Sequence, residues 1–107
     1  IVLCHEANRQ YIDSCRSFAI PSIKDCIDFN LRCARLTNPA VVCAGISINT
    51  SKLGPSKRRQ YLQALEDESG LPCVDPVIDG CDTIASNLQK LMGSQSQTQK
   101  SEQKVDA

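Results

Sequence analysis

Apolar residues gather in three short runs along this chain, and each run stops at a polar residue before a segment of helical periodicity. Ile1-Val2-Leu3-Cys4 ends at His5-Glu6, Val41-Val42-Cys43-Ala44-Gly45-Ile46-Ser47-Ile48 ends at Asn49-Thr50, and Leu71-Pro72-Cys73-Val74 ends at Asp75-Pro76. Short apolar runs alternating with helical segments predict an α/β fold with a parallel sheet and helical crossovers. The middle run is apolar on both faces, as expected of a central strand covered by helices on both sides, so the layering is helix, sheet, helix. In such a sheet all three polar endings leave from one carboxyl-end edge, where open α/β sheets bind their ligands.

The helical segments carry their own punctuation. Ser22 caps the first, with Asp25 three residues on as a capping-box variant. Ile23, Cys26, Ile27, Leu31 and Ala34 lie on one face, and Phe29, Cys33 and Leu36 widen it, which predicts a well-buried helix. Asn38-Pro39 ends it. Pro55 suits the first turn of a second helix that runs to about Ser69, with Tyr61, Leu62 and Leu65 as a narrow apolar stripe and Gly70 as the C′ residue. Asp79 or Asp82 can cap a last helix carrying Cys81, Ile84, Leu88 and Leu91.

Composition narrows the function classes. The 107 residues suffice for one modest domain, and residues 1–92 are read as that unit. From Gly93 the sequence turns to Gly, Ser, Gln, Thr, Lys and Glu, so 93–107 is expected to be a disordered polar tail. The chain opens at Ile1, already inside an apolar run, and is read as a fragment, the C-terminal part of a larger domain. Lys plus Arg and Asp plus Glu balance at 12 each, so no global field selects nucleic acid or an anionic membrane. The apolar runs are too short to span a bilayer or to form a signal peptide. Seven cysteines with no CxxC pair, standing where Val, Ala or Leu would serve, read as small packed hydrophobes of a reduced, cytoplasmic protein.

Candidate chemistry sits at the strand ends. His5 can serve as acid, base or ligand and Glu6 as base or ligand, although neighbours on a strand point to opposite faces. A structural role in tying down the following loop is the alternative for each. That loop, 7–20, is long for a βα connection, which usually takes about two to six residues, and it carries Asn8, Arg9, Tyr11, Asp13 and Arg16. Asn49 offers a donor and an acceptor side by side, suited to a nucleobase edge, or else closes a turn. Asp75 either faces the ligand edge or bonds the next turn. Lys57-Arg58-Arg59 opens the second helix and Glu66-Asp67-Glu68 closes it, the reverse of what the helix dipole prefers; a phosphate contact is one account and a solvated face the simpler one. The residues hold no GxxxxGK[ST] loop, GxGxxG, HExxH or Ser-centred elbow, and no spacing suggests a structural metal. A thiol site on Cys4 and Cys15 is a lesser reading.

The runs Cys4-His5-Glu6, Arg9, Phe18-Ala19-Ile20-Pro21-Ser22, Ala34-Arg35-Leu36-Thr37-Asn38-Pro39, Gly45 to Ser51 and Glu68 to Pro76 together resemble the domain-of-unknown-function family sixteen-eleven. The resemblance extends from residue 1 to about residue 91. It implies the C-terminal part of a P-loop NTPase-like domain, with the phosphate-binding loop upstream of the matched segment. It also implies acyl transfer from acetyl-CoA to the amine of an acidic amino acid, since relatives include a bacterial D-glutamate N-acetyltransferase. Carried over by position, His5 and Glu6 would be catalytic, Arg9 would bind substrate, and Asn49 and Asp75 would bind cofactor, either acetyl-CoA or a nucleotide. Asn49 also looks like the base-contacting Asn of dethiobiotin synthetase-like P-loop enzymes. The sequence departs from the family pattern at Ala7 and Ala19, where prolines are expected, at Ser14, where glycine is expected, and at Tyr11, where His is common; the loss of two prolines and a glycine is expected to loosen the loop, and the loss of a His removes a possible proton carrier.

The expected partners are a small-molecule substrate and the N-terminal part of the same protein, with a homo-oligomer left open and with neither nucleic acid nor membrane. The alternative is a non-catalytic ligand-binding or assembly module that lacks the phosphate-binding loop and pairs through an open sheet edge.

Overall fold

A computed structural model describes the backbone of residues 1–105 and the side chains of residues 1–93. Strand β1 (Val2–Glu6) is followed by a hairpin of β2 (Tyr11–Ile12) and β3 (Cys15–Ala19), then helix α1 (Ile23–Ala34). Next come β4 (Gly45–Asn49), α2 (Pro55–Ser69), β5 (Cys73–Val74), the short α3 (Pro76–Asp79) and α4 (Asp82–Val105). The main sheet has the order β1-β4-β5. Both ladders are parallel, pairing His5 with Ile48, Glu6 with Asn49, Ile46 with Cys73 and Ser47 with Val74. The α/β parallel architecture expected from the alternating pattern is the one observed. The expected disorder of 93–107 concerns residues that, from 94 onward, lie outside the described side chains.

Strand alternation divides the two faces of the sheet. Ile46 and Ile48 are wholly buried, and against them pack Leu3 of β1, Ile23 and Ile27 of α1, and Tyr61, Leu62 and Leu65 of α2. Each buried Ile contributes roughly 1.5–3 kcal/mol of transfer free energy. On the opposite face α4 lies against β4: a Cβ built on Gly45 would stand 2.8 Å from Ile84 Cγ1 and 3.0 Å from the Pro72 carbonyl oxygen. Asn87 ties the same helix down by donating to the Ala44 carbonyl at 2.8 Å.

Local signals set the ends of the elements. Ser22 Oγ accepts from Asp25 N at 3.1 Å and caps α1, Pro55 opens α2, and Gly70 closes it at φ 69° with its N–H on the Glu66 carbonyl at 2.8 Å. Three expectations are corrected. Helix α1 has no buried residue, and Phe29 and Leu36 are 67 % and 85 % exposed, because a three-stranded sheet offers α1 only the narrow strip that Ile23 and Ile27 occupy. The middle strand is Gly45–Asn49 rather than 41–48, since Val42 and Ala44 bond to Ile1 ahead of the regular ladder. The connection 7–20 contains a hairpin that its sequence does not announce, because Asp13-Ser14 is not one of the glycine-containing pairs that mark two-residue turns. Among the described residues no helix is long and apolar enough to cross a membrane.

Two outcomes follow from this geometry. Gly45→Ala should destabilise the protein by about 1–3 kcal/mol, since Ile84 and the Pro72 carbonyl must give way; urea denaturation of the intact protein measures it. Ser14 holds φ 64°, a conformation that costs a side chain about 1–2 kcal/mol. Ser14→Gly should therefore gain about 0.5 kcal/mol after the extra entropy of the unfolded chain is subtracted, and an unchanged or lowered unfolding midpoint would contradict it.

Candidate functional site at the carboxyl rim

The carboxyl ends of β1, β4 and β5 bring two polar clusters to one rim, on either side of β4. The first is built on β1. His5 and Glu6 leave opposite faces of the strand, so they do not converge on one ion. Glu6 pairs with Lys52 Nζ at 2.8 Å across the β4–α2 turn. The Lys52 hydrogen bond and charge outweigh partial burial and hold the Glu6 carboxyl below its ordinary range, with smaller help from Arg9 and His5. Burial and the Arg9 charge push the His5 imidazole down, against the opposing pull of Glu6. Near neutral pH the ring is therefore largely uncharged and able to accept a proton. Arg9 lies in the exposed loop beyond, 3.4 Å from Asp13 in a solvent-facing ion pair.

The second cluster is built on β5. Asp75, 3 % exposed, caps α3: Oδ1 accepts from Val77 N at 3.0 Å, and Oδ2 accepts from Thr50 N at 3.0 Å and from Thr50 Oγ1 at 2.6 Å. Burial alone would raise this carboxyl, but the bonds from Thr50, Val77 and Ile78 prevail and the group sits below its usual range. Asp79 Oδ2 accepts from Asp75 N at 3.2 Å, and its other oxygen takes the Arg58 guanidinium.

Between the clusters stands Asn49. Its Oδ1 accepts from Ser51 N at 3.0 Å, closing a turn, which leaves the amide Nδ2 as the group available to a ligand. Ser47, Asn49 and Ser51 line one side of a recess of about 490 Å³, and Pro76, Val77 and Ile78 line the other. A mainly apolar wall with a few polar groups on one side suits a flat heteroaromatic ring with an edge to be read. A recess of about 520 Å³ between α2 and α4, bordered by Gln63, Asp67 and Pro72, lies by the amino end of β5, away from the strand-end polar groups.

The structure thus places His5, Glu6, Asn49 and Asp75 on the same rim, with Arg9 in the loop above it. It also gives Asp75 a role in the frame, since both of its oxygens are occupied from within the chain. Sequence reasoning passed over Lys52 and Thr50, read Arg58 as part of a phosphate-contacting or solvated basic cluster, and read Asp79 as a helix cap. The one local signal was Asp75-Pro76, an N-cap followed by proline at N1, which marks a helix start at α3. Among the described residues no group of three His, Cys, Asp or Glu side chains is placed to hold a metal ion. All seven cysteines are free.

A parallel α/β layer with its polar groups at the carboxyl ends of the strands is the arrangement in which open α/β sheets bind ligands. Residues 1–85 match the family described as "Domain of unknown function (DUF1611_C) P-loop domain", and the chain belongs to this family. Over 88 residues, 82 % of the chain, it is 40 % identical to a D-glutamate N-acetyltransferase of Pseudoalteromonas sp. and 33 % identical to one of Tritonibacter scottomollicae. The match spans only 26 % of the length of each of these relatives. The crystal structure of a DUF1611 family protein from Anabaena variabilis superposes with a TM-score of 0.73 at 25 % identity, covering 82 % of this chain and 27 % of that one.

Asp75 supplies a pH test. Its folded-state pKa is depressed, so its stabilisation is complete above the unfolded value of about 3.8 and is lost as pH falls through the lower folded value. Asp75→Asn should cost about 1.5–3 kcal/mol at pH 7 and much less at pH 3. Equal losses at the two pH values in urea titrations would show that the carboxylate charge is not what matters.

Proposed function

We propose that this chain is part of an amino-acid N-acyltransferase that moves an acetyl group from acetyl-CoA to the amine of an acidic amino acid such as D-glutamate. The observation that carries the reading is the 40 % identity, over 82 % of the chain, to a protein bearing that name. The rim is consistent with it. His5, held neutral by burial and by Arg9, accepts a proton from the substrate ammonium, and the freed amine attacks the thioester carbonyl. The C–S bond breaks, an amide forms, and the second proton shed by the attacking nitrogen goes to the leaving sulfur, so that CoA departs as the thiol. Glu6 is the poorer base of the two, since Lys52 stabilises its charged form. The Arg9 guanidinium exchanges exposed Asp13 for the substrate carboxylate. Asn49 Nδ2 faces the ring of the CoA adenine or of a nucleotide in the recess.

A second reading, a non-catalytic ligand-binding or assembly module, is favoured by one observation: both carboxylate oxygens of Asp75 at the rim are bonded from within the chain. Kinetics of the intact protein with acetyl-CoA and D-glutamate decide between the two. The acyltransferase reading expects CoA release. It expects His5→Ala to lower kcat about 10²–10⁴-fold and Arg9→Ala to raise the KM for the amino acid about tenfold or more with little change in kcat. Acidic amino acids that bind but are never acetylated would favour the module, and full turnover by His5→Ala would remove that residue from the chemistry.

A further inference from the structure

We infer that Arg58 and Asp79 are positioning residues for the rim recess: their ion pair holds α3 at the distance from β4 that lets the recess take its ring-bearing ligand. The inference rests on the ligand reading proposed above and adds the device that sets its affinity. Helix α3 has no buried residue, and Val77 and Ile78 are 94 % and 58 % exposed, so packing does not hold it. Polar bonds do. Asp75 caps its first turn, and Asp79 at its end joins the Asp75 N–H on one side to Arg58 in the first turn of α2 on the other.

The pair differs from an ordinary surface bridge. The Arg58 side chain is 13 % exposed, and its Nε is buried with no partner among the described residues, so the guanidinium depends on Asp79 for compensation. Arg58 also stands near the positive end of the α2 dipole, where a cation gains nothing from the helix itself. Neither residue lines the recess, whereas Pro76, Val77 and Ile78, which they hold, form one wall. Loss of the pair therefore lets the wall move while the covered face of β4, with Ile46 and Ile48, keeps its packing.

The test is a double-mutant cycle on the intact protein with CoA and ADP as probes, read by calorimetric Kd. Asp79→Asn keeps an acceptor for the Asp75 N–H and breaks only the ion pair; Arg58→Met removes the buried charge and keeps the stem. Each should weaken binding about tenfold, the double variant should be no worse than the weaker-binding single, and Arg58→Lys should stay within about threefold of the parent. Hydrogen exchange should quicken at the Val77 and Asp79 amides and stay slow at Ile46 and Ile48. Binding unchanged in both single variants overturns the inference and leaves the ligand reading intact, as does a double variant whose losses simply add. A parent protein that binds neither probe overturns both. If Asp79→Asn loses protection at Ile46, the residue supports the whole fold, and Arg58→Met with Ile46 protected decides by its Kd in the same two directions.

Discussion

Strand β4 is paired along both edges and covered on both faces, and the position of every polar group discussed follows from where it stops. Its parallel ladders to β1 and β5 fix the register that sets Glu6 beside Asn49 and Val74 beside Ser47. Because the strand is buried, its backbone groups need partners within the protein, and the same requirement extends past its end. Asn49 O receives Ala7 N at 3.0 Å, and Thr50 N finds Asp75 Oδ2. The rim is thus a place where a saturated ladder gives way to side chains, and the frame uses some of those side chains for itself.

The charges of α2 show how tertiary structure reverses a local preference. Its basic start and acidic end both oppose the helix dipole, an effect worth a few tenths of a kcal/mol at an exposed position. Arg58 at the start is instead held by Asp79, and Glu66 at the end accepts from Cys73 N at 3.1 Å, tying the helix to β5. Hydrogen bonds that involve a charged group contribute about 1.5–3 kcal/mol when protected from water, enough to override the dipole. The remaining cations of the cluster, Lys57 and Arg59, stay on the solvent side.

Departures from the family pattern act in different directions. Ala7 is buried and its N–H joins the ladder to Asn49, a bond that proline cannot make, so this change tightens the end of β1. Ala19 pairs with Tyr11 in the hairpin. Ser14 sits at positive φ where glycine would be unstrained, so this change carries a cost. The loop is accordingly an ordered hairpin, all of whose side chains are exposed, anchored at its base by Ala7 and at its exit by Ile20 N on Gln10 O.

Periodicity and punctuation were enough to read the alternation of strands and helices, the bounds of α2, the Ser22 cap and the shared rim, because each depends on residues close together in the chain. The widths of buried faces were not readable: α1 looks well buried by pattern, and only the number of strands beneath it leaves Phe29 and Leu36 in solvent. Nor was the division of the rim between frame and site, since Asp75 and Thr50 are 25 residues apart and Arg58 and Asp79 are 21 apart. A carboxylate ready for a ligand and one already bonded from within read alike in sequence. The fold alone distinguishes them, by which donors it carries to within hydrogen-bond reach.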